Sequence, residues 1–153
     1  MHQLGLTNLQ FFRKMQKNNF TSAHEFLVLA LQQPWTAVYT KIIAIALLYG
    51  ATVHIGNILG LAGTAWLATP LLWRVLDIAL LIFDLVTAIA LWRGLAWSIW
   101  LLFGGILLLQ ILPYTLWRSQ FILQPEDART LNSLIGTEVL LLSVLILLLR
   151  LKK

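Results

Sequence analysis

The chain has 153 residues, of which 59% are hydrophobic and 11% are charged, and its mean hydropathy is +0.83. A soluble domain carries roughly 25% charged residues, so this chain lacks the polar surface that keeps a protein in water. Its net charge of +5 arises from basic residues clustered near both ends, not from a basic stripe with interleaved aromatics, which argues against nucleic-acid binding. The absence of cysteine excludes disulfides, thiol catalysis and cysteine-bound metals. This composition predicts an all-α, polytopic integral membrane protein.

The N-terminal segment, residues 1–36, differs in composition from the rest of the chain. Residues 4–17 mix leucine and phenylalanine with Arg13, Lys14 and Lys17, which is typical of an interfacial amphipathic helix; a partly ordered tail is the alternative. Ser22 and Glu25 have the spacing of a capping box. They predict a short helix that Pro34 ends or joins to the next helix.

Four apolar segments follow, at about residues 37–61, 70–92, 95–117 and 131–151. Each is long enough to cross the ~30 Å hydrocarbon core of a bilayer as a helix. The connections between them are short, which forces neighbouring helices to run antiparallel. Residues 37–153 therefore predict an up-down four-helix transmembrane bundle.

Lysine and arginine are distributed unequally between the two sides of this bundle. Of the eleven such residues, three (Arg74, Arg118 and Arg129) belong to the side opposite the termini, and the remaining eight belong to the side of the termini. The positive-inside rule then predicts that both termini are cytoplasmic, in a plasma or inner membrane. The terminal lysines and arginines are expected to contact anionic headgroups of the bilayer.

The second span contains three charged residues. Transfer of a charged side chain into lipid is unfavourable, so these residues indicate a functional site. Arg74 and Asp77 are three residues apart, and this spacing predicts an ion pair on one helix face. Asp84 returns to the same face seven residues later. It has no basic partner in its own span, so we expect it to be protonated, hydrated or paired across the bundle.

Polar side chains from all four spans are predicted to meet in one layer. Counted from the predicted span ends, each helix places one such residue about 10 Å inside the non-cytoplasmic boundary, with Asp84 deeper. The layer predicts a polar pocket, open to the non-cytoplasmic side, that binds a small molecule, a lipid-like ligand or an ion, or relays protons. A structural network that fixes helix register is the alternative. The predicted pocket residues are His54, Asn57, Arg74, Asp77, Asp84, Gln110, Tyr114 and Glu138.

A metal site is the weaker interpretation of the same residues. His54, Asp77 and Glu138 are suitable ligand types for zinc, iron or manganese, but no Glu-x-x-His spacing accompanies them. No cofactor follows from the sequence, and a transporter and a membrane-embedded enzyme both stay open.

A glycine motif supports a second hypothesis. Gly56 and Gly60 form a GxxxG pattern, extended by Gly63, on a face that points away from the polar layer. This face can pack within the bundle, or against a second copy or another membrane subunit. The alternative function is therefore a non-catalytic subunit or assembly factor of a larger membrane complex. In span three, Pro113 predicts a kink just beyond Gln110.

Overall fold

The computed structural model describes residues 23–61, 65–122 and 124–151. These residues contain helices and no strands, and four of the helices are long and apolar enough to cross a membrane. The predicted all-α bundle of membrane-spanning helices is thus confirmed. The helices are α1 (23–31), α2 (Pro34–Ile58), α3 (Leu71–Trp92), α4 (Trp97–Leu116), α5 (Arg118–Phe121) and α6 (Pro125–Arg150).

The N-terminal part of the chain is described only from residue 23. The predicted interfacial segment at residues 4–17 and the capping residue Ser22 lie outside the described residues, as does Gly63. Residues 23–31 form α1, whose Leu27, Ala30 and Leu31 are buried in the same core as the spans. Helix α1 therefore packs on the bundle.

Two spans begin earlier than the sequence predicts. Helix α2 begins at Pro34 rather than at residue 37, and α6 begins at Pro125 rather than at 131. Proline suits a first helical position because its missing N–H would be unpaired there in any case. In α6, the Asp127 carboxylate accepts a hydrogen bond from the Gln124 backbone N–H at 2.8 Å, which caps the helix. With 26 residues, α6 is about 39 Å long and extends beyond the hydrocarbon core.

Two glycines end helices in the left-handed conformation. Gly60 has a φ of 71° and Gly94 a φ of 67°, which glycine adopts without steric penalty. The Leu61 N–H donates to the Gly56 carbonyl at 2.9 Å and the Gly60 N–H to the Asn57 carbonyl at 3.0 Å, the pattern of a Schellman motif. Helix α2 therefore ends at Ile58 instead of continuing to 61.

The described connecting residues 59–61, 65–70, 117–122 and 124 lie at one end of the bundle, called here the distal end; the start of α2 and the end of α6 define the proximal end. At the proximal end, the Tyr39 hydroxyl donates to the Leu141 carbonyl at 3.0 Å and joins α2 to α6. At the distal end, Trp73 stacks on Phe121 with ring centroids 5.8 Å apart. Many leucines and isoleucines face outward from the spans, as lipid contact requires.

Helix α4 changes its winding in the middle of the span. Residues Ile106–Ile111 form a π-helical turn, and α-helix resumes at Leu112. Pro113, where the sequence predicts a kink, follows this wider turn, which accommodates a proline that lacks a backbone donor. Gln110 lies in the π-turn and is buried.

Candidate functional site

A cavity of about 550 Å³ lies between α2, α3, α4 and α6, and extends from the distal end of the bundle past its middle. Its walls are mainly leucine, isoleucine and aromatic side chains, and polar groups cluster within it. Of the eight residues that the sequence analysis assigned to a pocket, all but Arg74 line this cavity. The seven that line it are His54, Asn57, Asp77, Asp84, Gln110, Tyr114 and Glu138.

His54 of α2 connects the two aspartates of α3. Its Nδ1 lies 2.8 Å from Asp77 Oδ1, and with Nδ1 protonated it donates a hydrogen bond to that carboxylate. Its Nε2 lies 3.9 Å from Asp84 Oδ2, which is too long for a hydrogen bond. Asn57 Nδ2, one turn beyond His54, also donates to Asp77 Oδ1 at 3.1 Å. Two helices thus share an Asp–His–Asp constellation.

The predicted ion pair between Arg74 and Asp77 is wrong. Asp77 turns toward α2, which offers it two donors, and no ion pair of Arg74 occurs among the described residues. The Arg74 guanidinium instead lies 5.9 Å from the Trp66 ring centroid. A side chain on a helix leans toward the helix N-terminus, which for α3 is the distal end. The long arginine side chain therefore leads its charge away from the cavity and toward the bundle end.

Asp84 is buried against the backbone of α2. A Cβ built on Gly50 would lie 2.6 Å from Asp84 Oδ2, so the carboxylate occupies space that any other residue would fill. Gly50 is one turn from His54 on the same face of α2. The missing side chain of Gly50 therefore lets the Asp84 carboxylate approach His54 from the neighbouring helix. Across the bundle, Asp84 is thus closest in charge interaction to His54, at 3.9 Å.

Helices α4 and α6 contribute the remaining polar groups. Gln110 and Tyr114 are buried on the cavity side of α4, and Tyr114 packs edge-on against Phe121 with centroids 5.0 Å apart. Glu138 of α6 is only 6% exposed, and its Oε2 has no hydrogen-bond partner. The glutamate therefore presents an unpaired acceptor to the cavity.

The cavity opens sideways, between α2 and α6. Every exposed residue that lines it belongs to one of these two helices, and Tyr49 is 72% exposed near the middle of α2. The hydrogen bond from Tyr39 to Leu141 joins the same two helices on the proximal side of the opening. The opening therefore lies on the lateral surface of the bundle. The exposed lining residues are Ala46, Tyr49, Val53, Thr130, Leu134 and Thr137.

Sequence reasoning missed several residues of the cavity. Asp127 and Thr130 were assigned to a loop because their segment is polar, whereas the helix begins before them. Trp73 and Phe121 were not assigned to the site, although both line it. For Gly50, the spacing of four residues to His54 was an available signal, because i and i+4 share a helix face.

The structure gives no support to the weaker metal interpretation. His54 and Asp77 are in contact, but no three histidine, aspartate or glutamate side chains among the described residues form a group that holds a metal ion. The suggested third ligand, Glu138, lies on a different helix and makes no contact with this pair through a hydrogen bond.

The two described glycines of the GxxxG motif do not form a packing seam within the bundle. A Cβ on Gly56 would meet no atom within 4 Å, so its surface is open. Gly60 lies beyond the end of α2, where its positive φ closes the helix. The motif is therefore one open surface position followed by a helix cap, and association with another subunit stays a prediction that concerns Gly56.

Comparisons with protein-family models, curated proteins and solved structures give no match for this chain. The chemistry of the cavity is therefore argued from its own groups. Acidic, imidazole and amide side chains in an apolar cavity can bind a polar or charged group and orient the apolar remainder of the same molecule. Among the described residues, no hydroxyl is hydrogen-bonded to His54, so a nucleophile–base pair is not formed.

Proposed function

We propose that the protein binds a small amphiphilic, lipid-like molecule, which enters the cavity laterally from the bilayer between α2 and α6. The observation that carries the proposal is the position of the exposed lining residues, which all lie on these two spans. An opening at that depth faces hydrocarbon, so a molecule in the membrane reaches it without crossing water.

The size and lining of the cavity support this class of ligand. Ligand sites in proteins measure about 300–1,000 Å³ and combine apolar walls with a few polar groups, and the volume of about 550 Å³ lies within that range. Asn57, Asp77 and Asp84 lie around His54, whereas leucines of α6 line another wall of the cavity, and one of them, Leu134, reaches the opening. This separation matches a molecule that has one polar end and one apolar end.

The orientation of the protein is part of the same proposal. The distribution of lysine and arginine along the sequence supports cytoplasmic termini in a plasma or inner membrane. The cavity then extends from the non-cytoplasmic end of the bundle past its middle. Lys41, which lies inside α2, is consistent with this assignment, because its Nζ lies 5.7 Å from the ring centroid of Trp92 at the proximal end.

A tryptophan at the opening tests the proposal. Leu134 lines the opening, while Leu140 of the same helix is 64% exposed and does not line the cavity. We expect Leu134→Trp to reduce the amount of co-purifying hydrophobic molecule roughly tenfold, the effect of about 1.4 kcal/mol of steric conflict. Native mass spectrometry of protein purified in mild detergent measures the bound fraction. Leu140→Trp is the matched control, and equal retention by both variants contradicts the proposal.

A further inference from the structure

The charges of this protein are separated between the cavity and the ends of the bundle. The chain is basic, with eleven lysines and arginines against six acidic residues. Four of those six acids line the cavity, and no lysine or arginine is among the lining residues that the structure describes. A net positive protein therefore has a cavity whose formal charges are negative. The four acids are Asp77, Asp84, Asp127 and Glu138.

Two basic residues of the spans around the cavity turn away from it. Arg74 contacts Trp66 beyond the start of α3, and Lys41 contacts Trp92 at the opposite end of the bundle. His54 is the only basic side chain in the described lining, and it already has Asp77 as a hydrogen-bond partner. Among the described residues, neither Asp84 nor Glu138 is therefore paired with a lysine or arginine.

Glu138 is a buried acid of the cavity that lacks a hydrogen-bond donor at one of its carboxyl oxygens. It is 94% buried, the complement of its 6% exposure, and its Oε2 has no hydrogen-bond partner. A buried acceptor without a donor is unfavourable, more so when it belongs to an ionisable group in a membrane. The opening lies on the same helix, at Leu134 and Thr137. A ligand that supplies a donor satisfies this carboxyl group.

We propose that the ligand of this cavity is a hydrophobic amine, that is, an apolar chain that carries a protonated amino group. This inference rests on the proposed function and specifies the polar end of the ligand. The ammonium binds between Asp84 and Glu138 and donates to Glu138 Oε2; an ammonium has three donors and no acceptor. The chain extends along the leucines of α6 into the opening. A carboxylate or phosphate end is disfavoured, because it would meet like charges.

A pair of probes that differ only in the end group tests this proposal. The protein is reconstituted in nanodiscs, and saturable binding of radiolabelled dodecylamine and dodecanol is measured after subtraction of binding to empty nanodiscs. We expect dodecylamine to bind about 10- to 100-fold more tightly than dodecanol, which is the worth of a hydrogen-bonded charge. Equal affinities overturn the inference but leave lateral binding of an amphiphile intact. Saturable binding of neither probe also overturns it, while retention by Leu134→Trp separately decides the proposed function.

Variants that replace a carboxyl group by an amide show which acid is responsible for the preference for dodecylamine. Glu138→Gln keeps the size of the side chain, and we expect it to lower dodecylamine affinity at least about tenfold with little effect on dodecanol. Glu126→Gln is the matched control, because Glu126 belongs to the same helix but does not line the cavity. If Glu138→Gln does not fold, Asp84→Asn tests the same charge. Wild-type dodecylamine affinity in whichever of these variants folds contradicts the inference.

Discussion

At the scale of single residues, the site depends on the position of one imidazole ring. His54 lies between Asp77 at 2.8 Å and Asp84 at 3.9 Å. The first distance is that of a charge-assisted hydrogen bond, and the second is not a hydrogen bond. The imidazole is therefore close to both aspartates, but it is hydrogen-bonded only to Asp77. It also leaves the carboxylate of Asp84 free to accept a bond from a ligand.

This difference predicts unequal coupling energies. In double-mutant cycles made from His54→Ala, Asp77→Ala and Asp84→Ala, we expect about 1–2 kcal/mol of coupling between His54 and Asp77. The coupling between His54 and Asp84 should be below about 0.6 kcal/mol. Reversible unfolding in mixed micelles measures these free energies. A larger coupling for Asp84 than for Asp77 would show that the imidazole prefers the deeper acid.

At the scale of elements, close approach of α3 and α4 depends on a single glycine. A Cβ built on Gly105 would overlap the Phe83 ring, so the phenylalanine ring packs directly on the helix backbone. The next turn of α4 is the π-turn that carries Gln110 on the cavity side. The contact between Phe83 and Gly105 therefore sets the distance between α3 and α4 beside the cavity.

Neighbouring glycines of α4 provide a matched pair for this contact. We expect Gly105→Ala to lower the free energy of unfolding by about 1–3 kcal/mol, because the Phe83 ring has to move within a packed core. Gly104→Ala should be neutral or stabilising by up to about 1 kcal/mol, since its Cβ meets no atom within 4 Å and alanine favours helix. The same unfolding assay compares the two. Equal losses would mean that helix flexibility, rather than the ring contact, accounts for Gly105.

At the scale of the whole molecule, four of the six acids line the cavity, and the basic residues of the spans lie toward the ends of the bundle. Lys41 and Arg93 belong to the proximal end, and Arg74 and Arg118 belong to the distal end. Long basic side chains can reach the headgroups from within a span, whereas short aspartates cannot. The same arrangement fixes the bundle in the bilayer and keeps the cavity acidic.

Cysteine labelling tests the proposed orientation, because the natural chain has no cysteine. Ser119 is exposed at the distal end, and Leu95 is partly exposed in the proximal connection between α3 and α4. In right-side-out vesicles, we expect a membrane-impermeant maleimide to label Ser119→Cys, and to label Leu95→Cys only after the vesicles are opened. The reverse pattern would place both termini outside the cytoplasm.

Several features could be read from the sequence because each is local. The four spans follow from runs of apolar residues, and Pro34 and Pro125 mark helix starts by a backbone effect that needs no neighbour. Helical rise, counted from the predicted span ends, predicts the common layer of polar residues, and seven of the predicted pocket residues line the cavity. Polarity alone does not assign Asp127 to a helix, although a membrane helix continues into the headgroup region as a polar segment.

The sequence by itself determined the solvent of this protein, the number of its spans and the presence of polar groups in each. Only the tertiary structure decided their partners. Helical periodicity assigns Arg74 and Asp77 to one face, but the choice between Arg74 and His54 depends on how closely α2 approaches α3. That approach depends on Gly50, because the Asp84 carboxylate occupies the space that a side chain at position 50 would fill. Partner choice is a property of two helices together, so the pattern within one of them does not contain it.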